Sequence, residues 1–139
     1  MASILVLGAT GYIGGRLIPR LLAHGHAVRC LVRSPEKISG KSWKQVEILK
    51  GDVLRPETFL RTFDGIDVIF YLIHSMTGAE KQFERIDKAA AENVAIAARE
   101  HGVNELCILA DSEQEVKNNL RIYEAGSRSG TFCERPAFR

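Results

Sequence analysis

The sequence contains few cysteines, and none of them is spaced for metal binding or redox chemistry. Only Cys30, Cys107 and Cys133 occur in the 139 residues, and no two of them form a Cys-x-x-Cys pair. Each lies in an apolar segment typical of a strand, where a free thiol packs as a small hydrophobic side chain. We therefore expect three reduced core thiols and no metal site.

Long apolar runs and blocks of one charge are missing as well. The N-terminal apolar run reaches Gly8 too early for a signal peptide, and the run at residues 68–73 is far too short to cross a membrane. The 19 basic and 17 acidic residues are spread along the chain, and aromatic residues make up only 7% of it. The sequence therefore predicts a soluble cytoplasmic protein with no membrane span and no nucleic-acid partner.

The sequence does contain an alternation of short β-branched runs and longer amphipathic segments, which is the pattern of repeated strand-helix-strand units. Its length suits a single domain. We predict an α/β fold with a doubly wound, mostly parallel sheet and helices on both faces, whose ligands bind outside the carboxyl ends of the strands.

The predicted strands cover residues 3–7, 27–32, 46–49, 68–73 and 105–109, and a sixth could cover 131–134. The predicted helices cover residues 12–24, 79–101 and 112–125, with a short helix within 55–65. The apolar face of the first helix is expected to contain Ile13, Leu17, Leu21 and Leu22.

The residues LGATGYIGG at positions 7–15 follow the first predicted strand and open the first predicted helix. Gly8 allows a tight turn, Gly11 leaves room for a phosphate close to the backbone, and Gly14 lets the helix pack against the sheet. The N-terminus of the helix supplies N–H donors and a favourable dipole for an anion. A glycine-rich loop can also simply turn the chain, but the strand before it and the helix after it favour a dinucleotide site.

The end of the second predicted strand indicates which dinucleotide would bind. An acidic residue about 20 positions after the glycine loop usually holds the ribose 2'-hydroxyl of NAD(H), whereas an arginine suits the 2'-phosphate of NADP(H). The sequence has Arg33 at that place, with Ser34 beside it and Lys37 close behind. NADP(H) is therefore favoured over NAD(H), and the alternative is a solvated arginine that begins a surface loop.

Further polar residues follow the later predicted strands. Asp52 could accept a hydrogen bond from the adenine amino group or cap the helix that begins near Pro56. His74 ends the fourth strand and is the best-placed titratable side chain near a nicotinamide, although a histidine there is more often structural. Tyr123 is a second weak catalytic candidate, because Ser127 stands where such a tyrosine usually has an activating lysine. The catalytic residues therefore stay unassigned.

The segments GATGYIGG, LVRSPEK, GDVLRPETF, YLIHSM and RPAF together resemble the atypical short-chain dehydrogenase/reductase class, which has a Rossmann-like NAD(P)-binding domain. Within that class the chain is most similar to NmrA-like and NAD-dependent epimerase/dehydratase-like proteins, and to a bacterial branch like the nucleotide-binding accessory subunit of respiratory complex I. The resemblance implies cofactor contacts along the phosphates, at the adenosine and on the route to nicotinamide. The phosphates would contact Gly8, Thr10, Gly11, Tyr12 and Ile13. The adenosine would contact Arg33, Asp52 and Val53. The route from the ribose to nicotinamide would be bordered by Leu72, Ile73 and His74.

The chain departs from the family pattern in ways that bear on catalysis. Tyr123 lacks its lysine, the serine-rich signature usual after the fifth strand is replaced by ADSEQE, and the family normally continues beyond RPAF into a segment that builds the substrate pocket. We expect an NADP(H)-binding domain over residues 1–139 that acts as a cofactor sensor, an accessory protein or a weak reductase. The alternatives are an active NADPH-dependent oxidoreductase or nucleotide-sugar epimerase-like enzyme, and a truncated fragment without function.

The alanine-rich helix predicted at residues 79–101 carries small residues on more than one face. In related folds the equivalent helix often packs against its copy in a homodimer, and burial within one chain explains the alanines equally well. A partner subunit could also complete a substrate pocket.

Overall fold

The computed structural model describes residues 1–73 and 80–108, which form a five-stranded parallel sheet flanked by helices. The strands are β1 (Ser3–Leu7), β2 (Ala27–Val32), β3 (Val46–Lys50), β4 (Val68–Tyr71) and β5 (Glu105–Ile108). The α-helices are α1 (Tyr12–Ala23) and α2 (Glu80–Glu100), and short 3-10 turns lie at Pro35–Ile38, Pro56–Thr58 and Leu60–Phe63. The predicted α/β fold is confirmed.

The strands lie across the sheet in the order β3-β2-β1-β4-β5. The chain therefore runs outward from β1 to β3, returns to the centre, and continues on the other side of β1 with β4 and β5. All pairs are parallel, so all the strands end at the same edge of the sheet. The winding direction reverses between β1 and β4, and open sheets of this kind bind ligands at that point.

Each face of the sheet has its own apolar core, because the central strands are buried on both sides. Leu5 and Leu7 pack on the face that α2 covers, where Val94 is fully buried. Val6 packs on the opposite face with Ile18 of α1, which is also fully buried. Each such side chain contributes about 1.5–3 kcal/mol of stability through burial, so the two helices are held firmly against the sheet.

The buried face of α1 differs from the predicted one. Gly14 and Ile18 are its buried residues, whereas Ile13 is 46% exposed. Gly14 must face the loop that precedes the helix, and Ile18 lies one turn further along the same side. Leu21 and Leu22 pack at the margin of this core, as predicted. The exposure of Ile13 leaves an apolar side chain beside the start of the helix.

Most of the small residues of α2 are explained by packing within one chain, although Ala89 is exposed. Ala90, Ala91, Ala97 and Ala98 are all buried against the sheet. Their short side chains let the helix approach the strands closely, so they give no separate support to a dimer. A homodimer therefore stays a prediction without structural support from these alanines.

The segment between β3 and β4 forms two 3-10 turns instead of one short helix. Phe59 and Phe63 are fully buried, with their ring centroids 5.4 Å apart. Leu60, in the same segment, is exposed. The fourth strand ends at Tyr71, two residues earlier than predicted. The elements predicted at residues 112–125 and 131–134 lie outside the described residues.

The cysteines follow the prediction only in part. Cys30 is a free thiol in the core, and burial raises its pKa to about 12. It is therefore protonated and unreactive at neutral pH. Cys107 is disulfide-bonded, so the prediction of a reduced thiol is wrong there. Whether a cysteine forms a disulfide depends on whether another sulfur lies close to it in the fold. The spacing of cysteines along the sequence does not show that distance. Cys133 lies outside the described residues.

Arg29 connects the β3 edge of the sheet to the segment before β4. Its Nε lies 2.6 Å from a carboxylate oxygen of Glu47 on the neighbouring strand. Its terminal nitrogen donates to the main-chain oxygens of Thr62 and Asp64, at 2.8 and 2.9 Å. These charge-assisted bonds hold the turn at residues 60–63 against the sheet.

Candidate functional site

The loop between β1 and α1 lies at the carboxyl edge of the sheet and is in close contact with the end of β4. Gly8 has a φ of +95°, a left-handed conformation that favours glycine. A Cβ atom on Gly8 would lie 2.8 Å from both the carbonyl carbon and the carbonyl oxygen of Leu72. The Leu72 N–H also donates to the Leu7 oxygen at 2.8 Å. Glycine is therefore required here by two independent constraints.

Gly14 holds the first turn of α1 against the same loop. It is buried, and an added Cβ would overlap the Gly8 carbonyl oxygen and lie 2.9 Å from Ala9 Cα. Both obstacles are main-chain atoms of a constrained loop, which cannot move aside easily. Gly14 therefore allows close packing of the helix, as predicted. The helix packs there against the loop that precedes it.

Gly11 is less constrained than Gly8 and Gly14, although a side chain there would still be crowded. Its φ is −80°, which any residue can adopt, and an added Cβ would lie 3.3 Å from the Gly8 oxygen, closer than an ordinary van der Waals contact. Gly11 is the N-cap of α1, and its N–H donates to the Gly8 oxygen at 3.1 Å. The start of the helix therefore carries no side chain at its N-cap.

The N-terminus of α1 lacks the usual protein partners. Gly11 makes no side-chain cap hydrogen bond, and the first turn contains no acidic residue. The first N–H groups of a helix have no partner within the helix itself. Together with the dipole, the N–H groups of Tyr12 and Ile13 form a site that favours an anion.

The side chains around this N-terminus are exposed. Thr10 is exposed, and Tyr12 is 72% exposed although it is aromatic. The guanidinium carbon of Arg16 lies 4.2 Å from the centroid of the Tyr12 ring, which is the geometry of a cation–π contact. The sequence analysis missed Arg16, although its position four residues after Tyr12 on a helix was a sufficient signal for the contact.

The candidate residues after β2 lie at the same edge of the sheet. Arg33 directly follows the strand and is exposed, and Ser34 is the N-cap of the 3-10 turn that begins at Pro35. The Ser34 oxygen accepts a hydrogen bond from the Lys37 N–H at 3.1 Å, and the Lys37 side chain is exposed. Within residues 1–73 and 80–108, no carboxylate pairs with Arg33 or Lys37. Two cations without counter-charges therefore lie at the end of β2.

Asp52 follows β3, and its role as a helix cap was predicted incorrectly. The N-cap of the turn Pro56–Thr58 is Arg55, which makes no side-chain cap hydrogen bond. Asp52 Oδ1 instead accepts from the Leu54 N–H at 3.0 Å, because an aspartate readily stabilises a turn two residues further on. That bond involves only one of the two carboxylate oxygens.

Val53 contributes packing and a main-chain contact. Its side chain belongs to the core on the α2 face, and its oxygen accepts a hydrogen bond from Asn93 Nδ2 at 2.9 Å. This bond connects α2 to the loop that carries Asp52. The loop is thereby fixed relative to the sheet, so the Asp52 carboxylate has a defined place at the carboxyl edge.

The end of β4 borders the reversal point of the sheet. Leu72 and Ile73 are half-buried and pack into the cores on opposite faces. Tyr71 is buried, and within residues 1–73 and 80–108 its hydroxyl has no hydrogen-bond partner. Burial, and to a smaller extent the charge of Asp87, raises the pKa of Tyr71 above its usual range, so this phenol stays neutral. His74 and Tyr123, the two catalytic candidates, lie outside the described residues.

The described part of the chain contains no cluster of three or more histidine, cysteine or acidic side chains that could hold a metal ion. None of its helices is both long and apolar enough to cross a membrane. What the carboxyl edge does offer is a glycine loop, an uncapped helix start and cations. Such a set of groups suits a phosphate-containing ligand.

Residues 8–125 match a family model described as NAD(P)H-binding, and this range includes the glycine loop from Gly8 onward and strands β2 to β5. The chain belongs to the NAD(P)H-binding family. This confirms the NAD(P)-binding family that the sequence predicted, and the site residues stay a prediction.

Curated relatives in this NAD(P)H-binding family have different functions. The chain is 34% identical over 97 residues to a 3 beta-hydroxysteroid dehydrogenase/Delta 5-->4-isomerase of Mycobacterium tuberculosis, an alignment that covers 68% of this chain and 26% of the relative. It is 43% identical over 68 residues to the photosystem II assembly factor Ycf39 of Cyanophora paradoxa, covering 48% of this chain and 21% of the relative. The chain thus matches about a quarter of the length of these relatives.

A solved structure of similar fold contains a cofactor of this family. The triphenylmethane reductase of Citrobacter sp., complexed with NADP(H), superposes with a TM-score of 0.72 at 25% sequence identity. The superposition covers 88% of this chain and 45% of the reductase. The similarity of fold therefore extends over nearly the whole chain.

The contrast between two adjacent glycines tests the packing of the loop. We expect Gly14→Ala to lower the free energy of unfolding by about 2 kcal/mol, because its Cβ would collide with main-chain atoms. Gly15 is the matched control, since a Cβ there would meet no atom within 4 Å. Gly15→Ala should raise the free energy of unfolding by about 0.5–1 kcal/mol through its higher helix propensity. Urea denaturation measures both, and equal effects would contradict this account of the loop.

Proposed function

We propose that this chain binds NADP(H) at the carboxyl edge of its sheet, with the diphosphate at the N-terminus of α1. The observation that carries the proposal is the N-terminus of α1, where Gly11 makes no side-chain cap hydrogen bond and the first turn has no acidic residue. The lack of a side chain on Gly11 lets a phosphate approach the main chain. A helix N-terminus without a capping side chain is the arrangement that binds the phosphates of a dinucleotide.

The main chain of the loop fits such a diphosphate. The N–H groups of Tyr12 and Ile13 would donate to its oxygens, and Gly14 holds the helix at the distance the loop requires. One oxygen of Asp52 would accept a hydrogen bond from the adenine amino group. Leu72 and Ile73 would border the ribose and the path toward nicotinamide. When bound, the cofactor supplies hydride chemistry, and these residues hold and orient it.

The preference for NADP(H) over NAD(H) rests on Arg33. It directly follows β2, is exposed, and has no carboxylate partner in the described ranges 1–73 and 80–108. A guanidinium in this place would bind the 2'-phosphate through charge-assisted hydrogen bonds. Ser34 and Lys37 would add a hydroxyl and a second cation. NAD(H) has no 2'-phosphate and would gain nothing from these groups.

Replacing Gly11 should separate binding from folding. We expect Gly11→Ala to weaken NADPH and NADH binding by more than about tenfold, because the methyl group occupies the space for the phosphate. The free energy of unfolding should fall by only about 1 kcal/mol, because alanine is a poorer N-cap than glycine and its Cβ would lie 3.3 Å from the Gly8 oxygen, so the variant stays folded. Isothermal titration calorimetry and urea denaturation measure the two quantities. Full affinity in this variant would refute the proposed position of the diphosphate.

Replacing Arg33 should test the choice of cofactor. Arg33→Ala is expected to weaken NADPH binding by about tenfold and to change NADH binding by less than about twofold, because only NADPH carries the 2'-phosphate. Lys44→Ala is the control, since Lys44 is an exposed cation just before β3, at the opposite edge of the sheet. Calorimetric titration with both nucleotides gives the ratio of the NADPH and NADH affinities for each variant. Tighter NADH binding by the unmodified protein would disprove the role given to Arg33.

We propose that the bound cofactor serves a sensor or accessory role, most simply in the cytoplasm. The described groups at the carboxyl edge bind phosphate and adenine well, and one relative is named as an assembly factor. A reductase or an epimerase-like enzyme is the second candidate, because other relatives are named as a dehydrogenase/isomerase and a reductase. In an enzyme, His74 or Tyr123 would handle the proton.

Turnover distinguishes these two uses of the cofactor. For a sensor or accessory protein, the loss of NADPH absorbance with a panel of added carbonyl compounds should not exceed the rate without protein. Turnover that both His74→Ala and Tyr123→Phe abolish would establish the enzyme instead. Binding titrations of the two variants serve as the control, because a variant that no longer binds NADPH says nothing about proton transfer.

A further inference from the structure

The Arg16–Tyr12 pair on α1 is not used by the binding scheme above. Side chains on a helix lean toward its N-terminus, and the contact of the Arg16 guanidinium with the Tyr12 ring, at 4.2 Å, holds its charge at the first turn. Both side chains are exposed. No carboxylate in the described ranges pairs with Arg16.

This placement is electrostatically unfavourable for the helix alone. The N-terminus of a helix carries a partial positive charge, so a cation there is disfavoured and an acidic residue is preferred. The first turn of α1 has no acidic residue and no side-chain cap, and it has the Arg16 charge in addition. Arg20, by contrast, lies in the last turn, where the dipole favours a cation. The start of α1 therefore has an excess of positive charge that an anion would balance.

We propose that Arg16 is a further binding residue for the diphosphate of the dinucleotide and that the Tyr12 ring is its positioning residue. The inference rests on the proposed function, because it assumes that the diphosphate lies at the N-terminus of α1. Arg16 contributes a charge that NADPH and NADH use equally, since the diphosphate is common to both. Its role is thus distinct from that of Arg33, which distinguishes the two nucleotides.

The test compares two arginines of the same helix. Arg16→Gln is expected to weaken the binding of NADPH and NADH by the same factor, about three- to fivefold at low salt, as for a partly exposed ion pair. The difference in affinity between Arg16→Gln and the unmodified protein should become smaller at high salt, because exposed charges are screened there. Arg20→Gln removes the same charge at the other end of α1 and should leave both affinities unchanged. Calorimetric titration of the full chain provides all of these values.

The positioning role of Tyr12 needs its own comparison. Tyr12→Leu removes the aromatic surface and should weaken binding about as much as Arg16→Gln, whereas Tyr12→Phe keeps that surface and should retain more of the affinity. If the ring acts through Arg16, Tyr12→Leu combined with Arg16→Gln should be no weaker than either single variant. Additive losses, or equal losses in Phe and Leu variants, would overturn the positioning role.

The remaining outcomes separate this inference from the proposed function. If the unmodified chain binds both nucleotides and Arg16→Gln binds them equally well, the inference is wrong and the proposed function stands. A loss for NADPH alone would also refute it, because Arg16 would then contact the 2'-phosphate. If the unmodified chain binds neither nucleotide, the proposed function fails, and this inference fails with it.

Discussion

The close approach of the Gly8 main chain to that of Leu72 determines most of the geometry at the carboxyl edge. Any side chain on Gly8 would lie against the Leu72 carbonyl group, and the Leu72 N–H bonds to the residue just before Gly8. The loop after β1 is therefore fixed to the end of β4 at the point where the winding direction reverses. Gly14 then packs on the Gly8 carbonyl, so the same contact fixes the start and direction of α1.

The N-terminus of α1 has no capping side chain, because its N-cap is Gly11. A serine, threonine, asparagine or aspartate there would stabilise the helix by only about a few tenths of a kcal/mol relative to glycine. Packing of Ile18 and the neighbouring leucines against the sheet compensates for the weak start of α1. The site thus depends on a strong core elsewhere on the same helix, which is why its first turn can be kept free of capping side chains.

Burial on both faces made the central strands easy to predict, because residues 68–71 and 4–7 form uninterrupted apolar runs. The roles of Gly8 and Gly14 were also predictable, since each has a steric reason, whereas a Cβ on Gly15 would meet no atom within 4 Å. The sequence did not show that Ile18 and not Ile13 would face the sheet, because periodicity alone does not fix the rotation of a helix. Nor did it show the turn at Asp52 or the disulfide of Cys107, which depend on contacts formed only in the fold.

The proposed site divides into a main-chain part and a side-chain part. In this proposal, the backbone N–H groups of Tyr12 and Ile13 hold the diphosphate that both dinucleotides contain, and they keep their positions as long as the glycines keep the loop in place. Arg33 at the end of β2 is exposed, so a substitution there would not disturb that loop. Under the proposal, the choice between the two dinucleotides can therefore change through such side chains while the fold stays the same.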